Sequence, residues 1–288
     1  MPTFYDRWMI LAPRYDGPTI LTIDGNPSDQ LQPLTRQRRR MQAMLAELRE
    51  QEWTAPTRCA EWSVRDVVAH LVGVNAFWNG SIRAGLAGTP TRFLGGFDPA
   101  ATPPLMVDAM SEITVPGLLA DFITTNDALL GAAAELTDES WSVLAESPAG
   151  HVSIRLLAQH ALWDCWVHER DIAIPLGRST AAESDELTSC LQYAAAASPV
   201  LGMGLERARA GAYAVEATDP SVHFAIDVTD SVTVRNEVPE AGVPCLRGDT
   251  ITLIEALSLR APMPAETPVE WRQLLGGLET VFDAAPAP

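Results

Sequence analysis

No stretch of this 288-residue chain reaches the ~18 consecutive apolar residues that a membrane span needs. The opening residues, MPTFYDRWMILAPRYDG, lack a cationic start leading into a clean apolar run, so they make a poor signal peptide. Basic charge is scarce. Twenty Lys and Arg against 37 Asp and Glu leave a formal net charge of −17, which argues against binding to nucleic acid or to an anionic membrane. The densest basic run, RQRRR at 36–40, opens an amphipathic stretch and reads as a solvated helix face. Cysteines are few: Cys59, Cys165, Cys190 and Cys245 lie far apart and form no CxxC pair, so reduced thiols in a cytoplasmic protein are the expectation. No internal repeat recurs, and the alanine runs are compatible with helix.

What remains is a composition that builds a core, 47% hydrophobic and 20% charged. Residues 1–27 show no helical period, although PTILTIDG has the makings of a short strand. From Ser28 the pattern turns helical through Leu34, Met41, Met44, Leu45 and Leu48. Ser63 reads as an N-cap with Asp66 three residues on, opening a second helix with an apolar face through Val64, Val67, Val68, Leu71 and Val72. Residues 85–104, rich in Gly, Pro and Thr, read as a loop. A third helix is expected from about Leu105 to Leu136, with an interruption near Pro116. SPAGHVSIR reads as a turn, and a fourth helix spans about Ile154–Ile174, stopped by Pro175 and Gly177.

Four long helices joined by loops suggest a bundle. Residues 184–210 make a fifth helix. AYAVEAT, HFAIDVT and SVTVRNEV then alternate apolar and polar residues as three strands of a small antiparallel sheet, and two more helical segments close the chain. The expected class is α+β. The expected division is an irregular extension over 1–27, a four-helix bundle over 28–180, and a small C-terminal domain with an antiparallel sheet and helices over 181–288.

One segment is chemically dense: HALWDCWVHERDI at 160–172 holds two histidines, three acids, an arginine and two tryptophans. On a helix, residues four apart share a face, so His160, Asp164 and His168 fall on one stripe with Asp171 beside it. Asp164 and His168 are close enough to bind one ion. His160 and His168, about 12 Å apart along the axis, are not. His70 stands in the apolar face of the second helix, in VVAHLVG. Two histidines and a carboxylate on facing helices would leave coordination positions open, as catalytic sites do. Spacing alone leaves open a hydrogen-bonded core histidine at 70 and a solvent-facing pair at 164 and 168.

Three stretches carry a resemblance. RCAEWSVRDVVAHL at 58–71, DCWVHERDI at 164–172 and CLRGDTITLIEALSLR at 245–260 resemble, in order, the signatures of the DinB-like superfamily, in the branch of the mycothiol-dependent maleylpyruvate isomerases. The resemblance covers about residues 30–282. It implies a divalent metal, zinc foremost, on His70, Asp164 and His168. It also implies a role for Arg260 in meeting the thiol cofactor or an acidic substrate. The acid of the family is usually Glu, and Asp164 is shorter by one methylene. Asp171 is then a candidate acceptor for the second N–H of His168, as ligating imidazoles usually have one.

The function implied is a metal- and mycothiol-dependent S-transferase or isomerase acting on a small electrophile, as a monomer or homodimer. Three alternatives stay open. Two His and one carboxylate also suit Fe(II) oxygen chemistry. The fold also suits a tailoring enzyme without mycothiol. A bundle with a degenerate site suits a non-catalytic binding module.

Overall fold

The computed structural model describes residues 12–237 and 241–282. Strand β1, Leu21–Ile23, leads through a single 3-10 turn into helix α1, Leu31–Ala46. Helix α2, Val64–Leu86, starts on a capping box. Ser63 Oγ accepts from the Asp66 amide at 3.3 Å, and the Asp66 carboxylate accepts from the Ser63 amide at 2.9 Å.

The long helix expected from Leu105 to Leu136 is two helices, α3 at Thr102–Asp108 and α4 at Val115–Ala134. Pro116 explains the division. It lies in the first turn of α4, where its missing N–H costs nothing, behind the Thr114 cap. The expected turn at 147–155 is part of a hairpin, β2 at Leu144–Ser147 and β3 at Gly150–Ser153. Gly150 has φ +108°, and the backbone of Arg14 packs where a Cβ would stand. Helix α5, Ile154–Ala173, follows at once from its Ser153 cap, and α6 spans Ser184–Gly204.

Strands β4 Gly211–Thr218, β5 Val222–Val228, β6 Val232–Arg235 and β7 Cys245–Asp249 precede helices α7 Thr250–Leu257 and α8 Val269–Phe282. The sheet order is β1-β6-β5-β4-β7. The α+β class holds, but the sheet is mixed rather than antiparallel. Only β4, β5 and β6 run hairpin to hairpin; β1 joins β6 in parallel and β7 joins β4 in parallel. Both edge strands arrive by longer connections, which is what parallel pairing requires. The extension expected to be irregular therefore supplies a sheet edge, and its Ile20, Leu21 and Ile23 are buried beside Val232 and Val234.

One continuous core runs from the bundle into the sheet, through Leu34, Trp78, Leu157 and Trp166 to Ala194, Phe224, Leu253 and Trp271. A second cluster fills the other end of the bundle with Met41, Leu45, Val67, Val68, Leu71, Phe122 and Ile172. The RQRRR run departs from its expected solvated face. Arg38 is fully buried and donates to Asn75 Oδ1 and to the Ala161 carbonyl, 2.6 Å away. Arg40 bridges Glu169 and Glu186, each at 2.7 Å, and Arg36 also reaches Glu186 at 2.8 Å. The buried acceptors come from α2, α5 and α6, so the run ties α1 to three neighbours. Among the described residues no helix is long and apolar enough to cross a membrane.

Candidate metal centre

Helices α2 and α5 face one another across the bundle. The apolar stripe of α2 buries Val67, Val68 and Leu71, which turns His70 toward α5. On α5, Asp164 and His168 lie one turn apart. Nε2 of His70 is 3.7 Å from Asp164 Oδ1, and Nε2 of His168 is 3.6 Å from the same oxygen. The two imidazole rings meet edge to face at 5.0 Å. One ligand atom from each of the three residues falls within a 4.8 Å cluster.

These spacings suit an ion between the groups. They are too long for hydrogen bonds, whereas two ligands about 2.1 Å from a tetrahedral ion lie ~3.4 Å apart. Asp164 Oδ2 and His70 Nδ1 are buried polar atoms with no hydrogen-bond partner among the described residues. The shorter Asp164 side chain still reaches both imidazoles. Burial alone would raise its carboxyl, but His70 and His168 hold it well below the usual carboxylate range.

The other side of His168 is tightly bound. Its Nδ1 lies 3.1 Å from Asp171 Oδ2 and 3.6 Å from Cys59 Sγ. Cys59 Sγ donates to Asp171 Oδ2 at 3.1 Å. Arg260, reaching over from the end of α7, donates through Nε to Asp171 Oδ1 at 2.9 Å and through Nη2 to Oδ2 at 3.1 Å. Burial opposes charge on His168, yet Cys59 and Asp171 raise its pKa well above the ordinary histidine value. Asp171 is pushed the other way. Burial would raise it, and His168 and Arg260 lower it.

Cys59, His168 and Asp171 also converge closely enough to suggest a second ion. The guanidinium of Arg260 already supplies the cation there, with Nη2 3.4 Å from Cys59 Sγ. His70, Asp164 and His168 are therefore the set that fits a metal.

Cys59, Arg58 and Glu255 carried no sequence signal of their own, and the contacts of Arg260 and His160 follow from the fold. Cys59 lies within RCAEWSVRDVVAHL, but nothing in its spacing joins it to Asp171. The loop that carries it docks through the Arg58 amide, 3.1 Å from the Asp171 carbonyl. Arg58 and Arg170 both hold Glu255 of α7, at 2.9 and 2.7 Å. Arg260 sits on Asp171 because the chain reverses after α7, with Leu259 at φ +57° and the Arg260 amide on the Glu255 carbonyl at 2.7 Å. His160 meets the hydroxyl of Tyr193 on α6, with 2.6 Å between Nδ1 and oxygen. Cys165 is fully buried beside Gln37.

Residues 34–173 match the family model of the mycothiol maleylpyruvate isomerase N-terminal domain. Over those 140 of its 288 residues the chain resembles that family. The matched span includes His70, Asp164 and His168. Two solved structures share the wider fold: the mycothiol-dependent maleylpyruvate isomerase and a histidine-to-alanine mutant of it. Each aligns with a TM-score of 0.59 and 12% identity over 82% of this chain and 90% of its own. At that identity the likeness establishes the fold alone. Among curated proteins, none matches this chain.

Proposed function

We propose that this protein is a metal-dependent enzyme that adds a low-molecular-weight thiol, mycothiol, to a small electrophile, as an S-transferase or as an isomerase. The observation that carries this reading is the convergence of His70, Asp164 and His168 inside a bundle of this family. The mycothiol dependence named for the solved relatives supports the choice of thiol.

His70 and His168 would hold a divalent ion through Nε2, and Asp164 through its carboxylate. A bound ion with an open position keeps a coordinated thiol as thiolate at neutral pH. Asp171 fixes the His168 ring so that Nε2 faces Asp164, and Arg260 and Cys59 keep Asp171 in place. In transfer, a carbon–sulfur bond would form as the π bond of the conjugated electrophile breaks, and the proton of the thiol would end on the neighbouring carbon of the adduct. In isomerisation the same bond forms, the substrate rotates about the former double bond, and the bond breaks to release thiol.

The test is metal content of protein purified without chelator or His-tag, followed by thiol-consumption assays with mycothiol. About one equivalent of zinc or another divalent ion, with mycothiol consumed only by the loaded protein, supports the reading. A protein that takes up no divalent ion even on reconstitution overturns it.

A further inference from the structure

Aromatic rings stand on and beside the candidate ligands: Trp62 meets His70, and Trp163 and Tyr193 surround His160, one turn before Asp164. Trp62 leans on His70, with ring centres 5.2 Å apart. Trp163 precedes Asp164, stands 5.3 Å from the Tyr193 ring, and has its Nε1 anchored on Ser258 Oγ at 2.9 Å. Trp62, Trp163 and Tyr193 are half-buried, so each keeps part of its surface open. Tyr193 and Ser258 lie outside the span matched by the family model, on α6 and at the residue that follows α7.

Charge around the site is already committed. The chain has no lysine, so all twenty of its basic side chains are arginines. Near the ligands, Arg260 is held by Asp171, Arg58 and Arg170 by Glu255, and Arg38 by Asn75 and a carbonyl. Releasing Arg260 to a substrate would take from Asp171, which is fully buried, its closest guanidinium and leave it His168 and the more distant Arg58, 3.9 Å away. A divalent ion on Asp164 keeps one net positive charge, and the thiolate of the cosubstrate cancels it. The net charge of −17 adds a field that repels anions. No uncommitted arginine among the described residues near the ligands is left to neutralise a carboxylate-bearing substrate.

We propose that this site takes an uncharged, flat, conjugated electrophile, with Trp62, Trp163 and Tyr193 as its specificity walls, and not a dicarboxylate such as maleylpyruvate. The proposal names the substrate class of the site and so rests on the thiol-transfer reading above. Flat rings facing a conjugated plane gain from stacking and from removing apolar surface from water. A dicarboxylate in the same place would have to shed its hydration with no cation to replace it.

The test is isothermal titration calorimetry of the full chain, zinc-loaded and chelator-treated, with two conjugated probes: benzylideneacetone, a neutral planar ketone, and maleate, a dicarboxylate. We expect the ketone to bind at least tenfold more tightly than maleate. We expect Trp163→Ala and Tyr193→Ala to weaken the ketone at least fivefold with zinc stoichiometry unchanged. Maleate binding as tightly as the ketone, or no detectable ketone binding, overturns the proposal. The comparison of probes on the unaltered chain holds even where a variant fails to fold. Loss of zinc binding would instead sink the thiol-transfer reading, and the zinc measurement keeps the two failures apart.

Discussion

Asp171 Oδ2 lies 3.1 Å from Nδ1 of His168, and this pairing directs the opposite ring nitrogen toward Asp164. A carboxylate in that position fixes tautomer and ring orientation and raises the basicity of the ligating nitrogen. Asp171→Asn keeps the shape but loses the charge shared with Arg260. Zinc affinity should fall ~10- to 100-fold, measured by competition with a chromogenic chelator. An unchanged affinity would show that His168 is oriented by packing alone.

His70→Ala and His168→Ala each remove one of three convergent donors, so neither variant should retain stoichiometric metal. A ligand present at 100 times its dissociation constant stabilises the folded state by about 2.7 kcal/mol. Added zinc should therefore raise the melting temperature of the unaltered protein and leave both variants unmoved. A zinc-induced rise that survives in His70→Ala would remove α2 from the site.

The parts of the molecule legible in the sequence are those that local periodicity encodes. The Ser63 cap, the span of α5 and the shared stripe of Asp164 and His168 all follow from 3.6-residue spacing. What escaped depends on chain crossings. Asp171 and Arg260 meet across 89 residues, and Asp171 and Cys59 across 112. Nothing local marks them as partners. The edge strand β1 pairs with β6 some two hundred residues later, so its parallel sense belongs to topology and not to its own three residues. RQRRR looked solvent-facing because charge normally is. Its burial is possible only because Asn75, Glu169 and Glu186 come from three other helices.

That network gives a stability prediction. Glu186 has no exposed side-chain surface and Glu169 is 5% exposed, and both depend on Arg40. Arg40→Ala strips a cation from two buried carboxylates, an error that usually costs about 3–5 kcal/mol. Gln37 still donates to Glu169 at 3.1 Å, and Arg36 still reaches Glu186. The loss should therefore fall near ~3 kcal/mol by urea unfolding. A loss below ~1 kcal/mol would mean that the pairs exchange freely with water.

His160 links pH to stability. Burial pushes its pKa down to about 4, against an ordinary value of 6.5, because its ring packs among Trp78, Trp163 and Tyr193. The folded value lies below the unfolded one, so the unfolded chain takes up the proton first. The stabilisation from a neutral His160 is complete above about pH 6.5 and declines as pH falls toward about 4. At pH 5 the unfolded chain gains about 1.5 pKa units of protonation free energy, or about 2 kcal/mol at most. In chelator-treated protein, the unaltered chain should lose more stability between pH 7 and pH 5 than His160→Gln, which has no imidazole to charge. The other carboxylates and histidines titrate in both proteins, so the difference between the two isolates His160. Equal losses would place the proton of the unaltered chain elsewhere and would mean that the imidazole is already hydrated in the folded state.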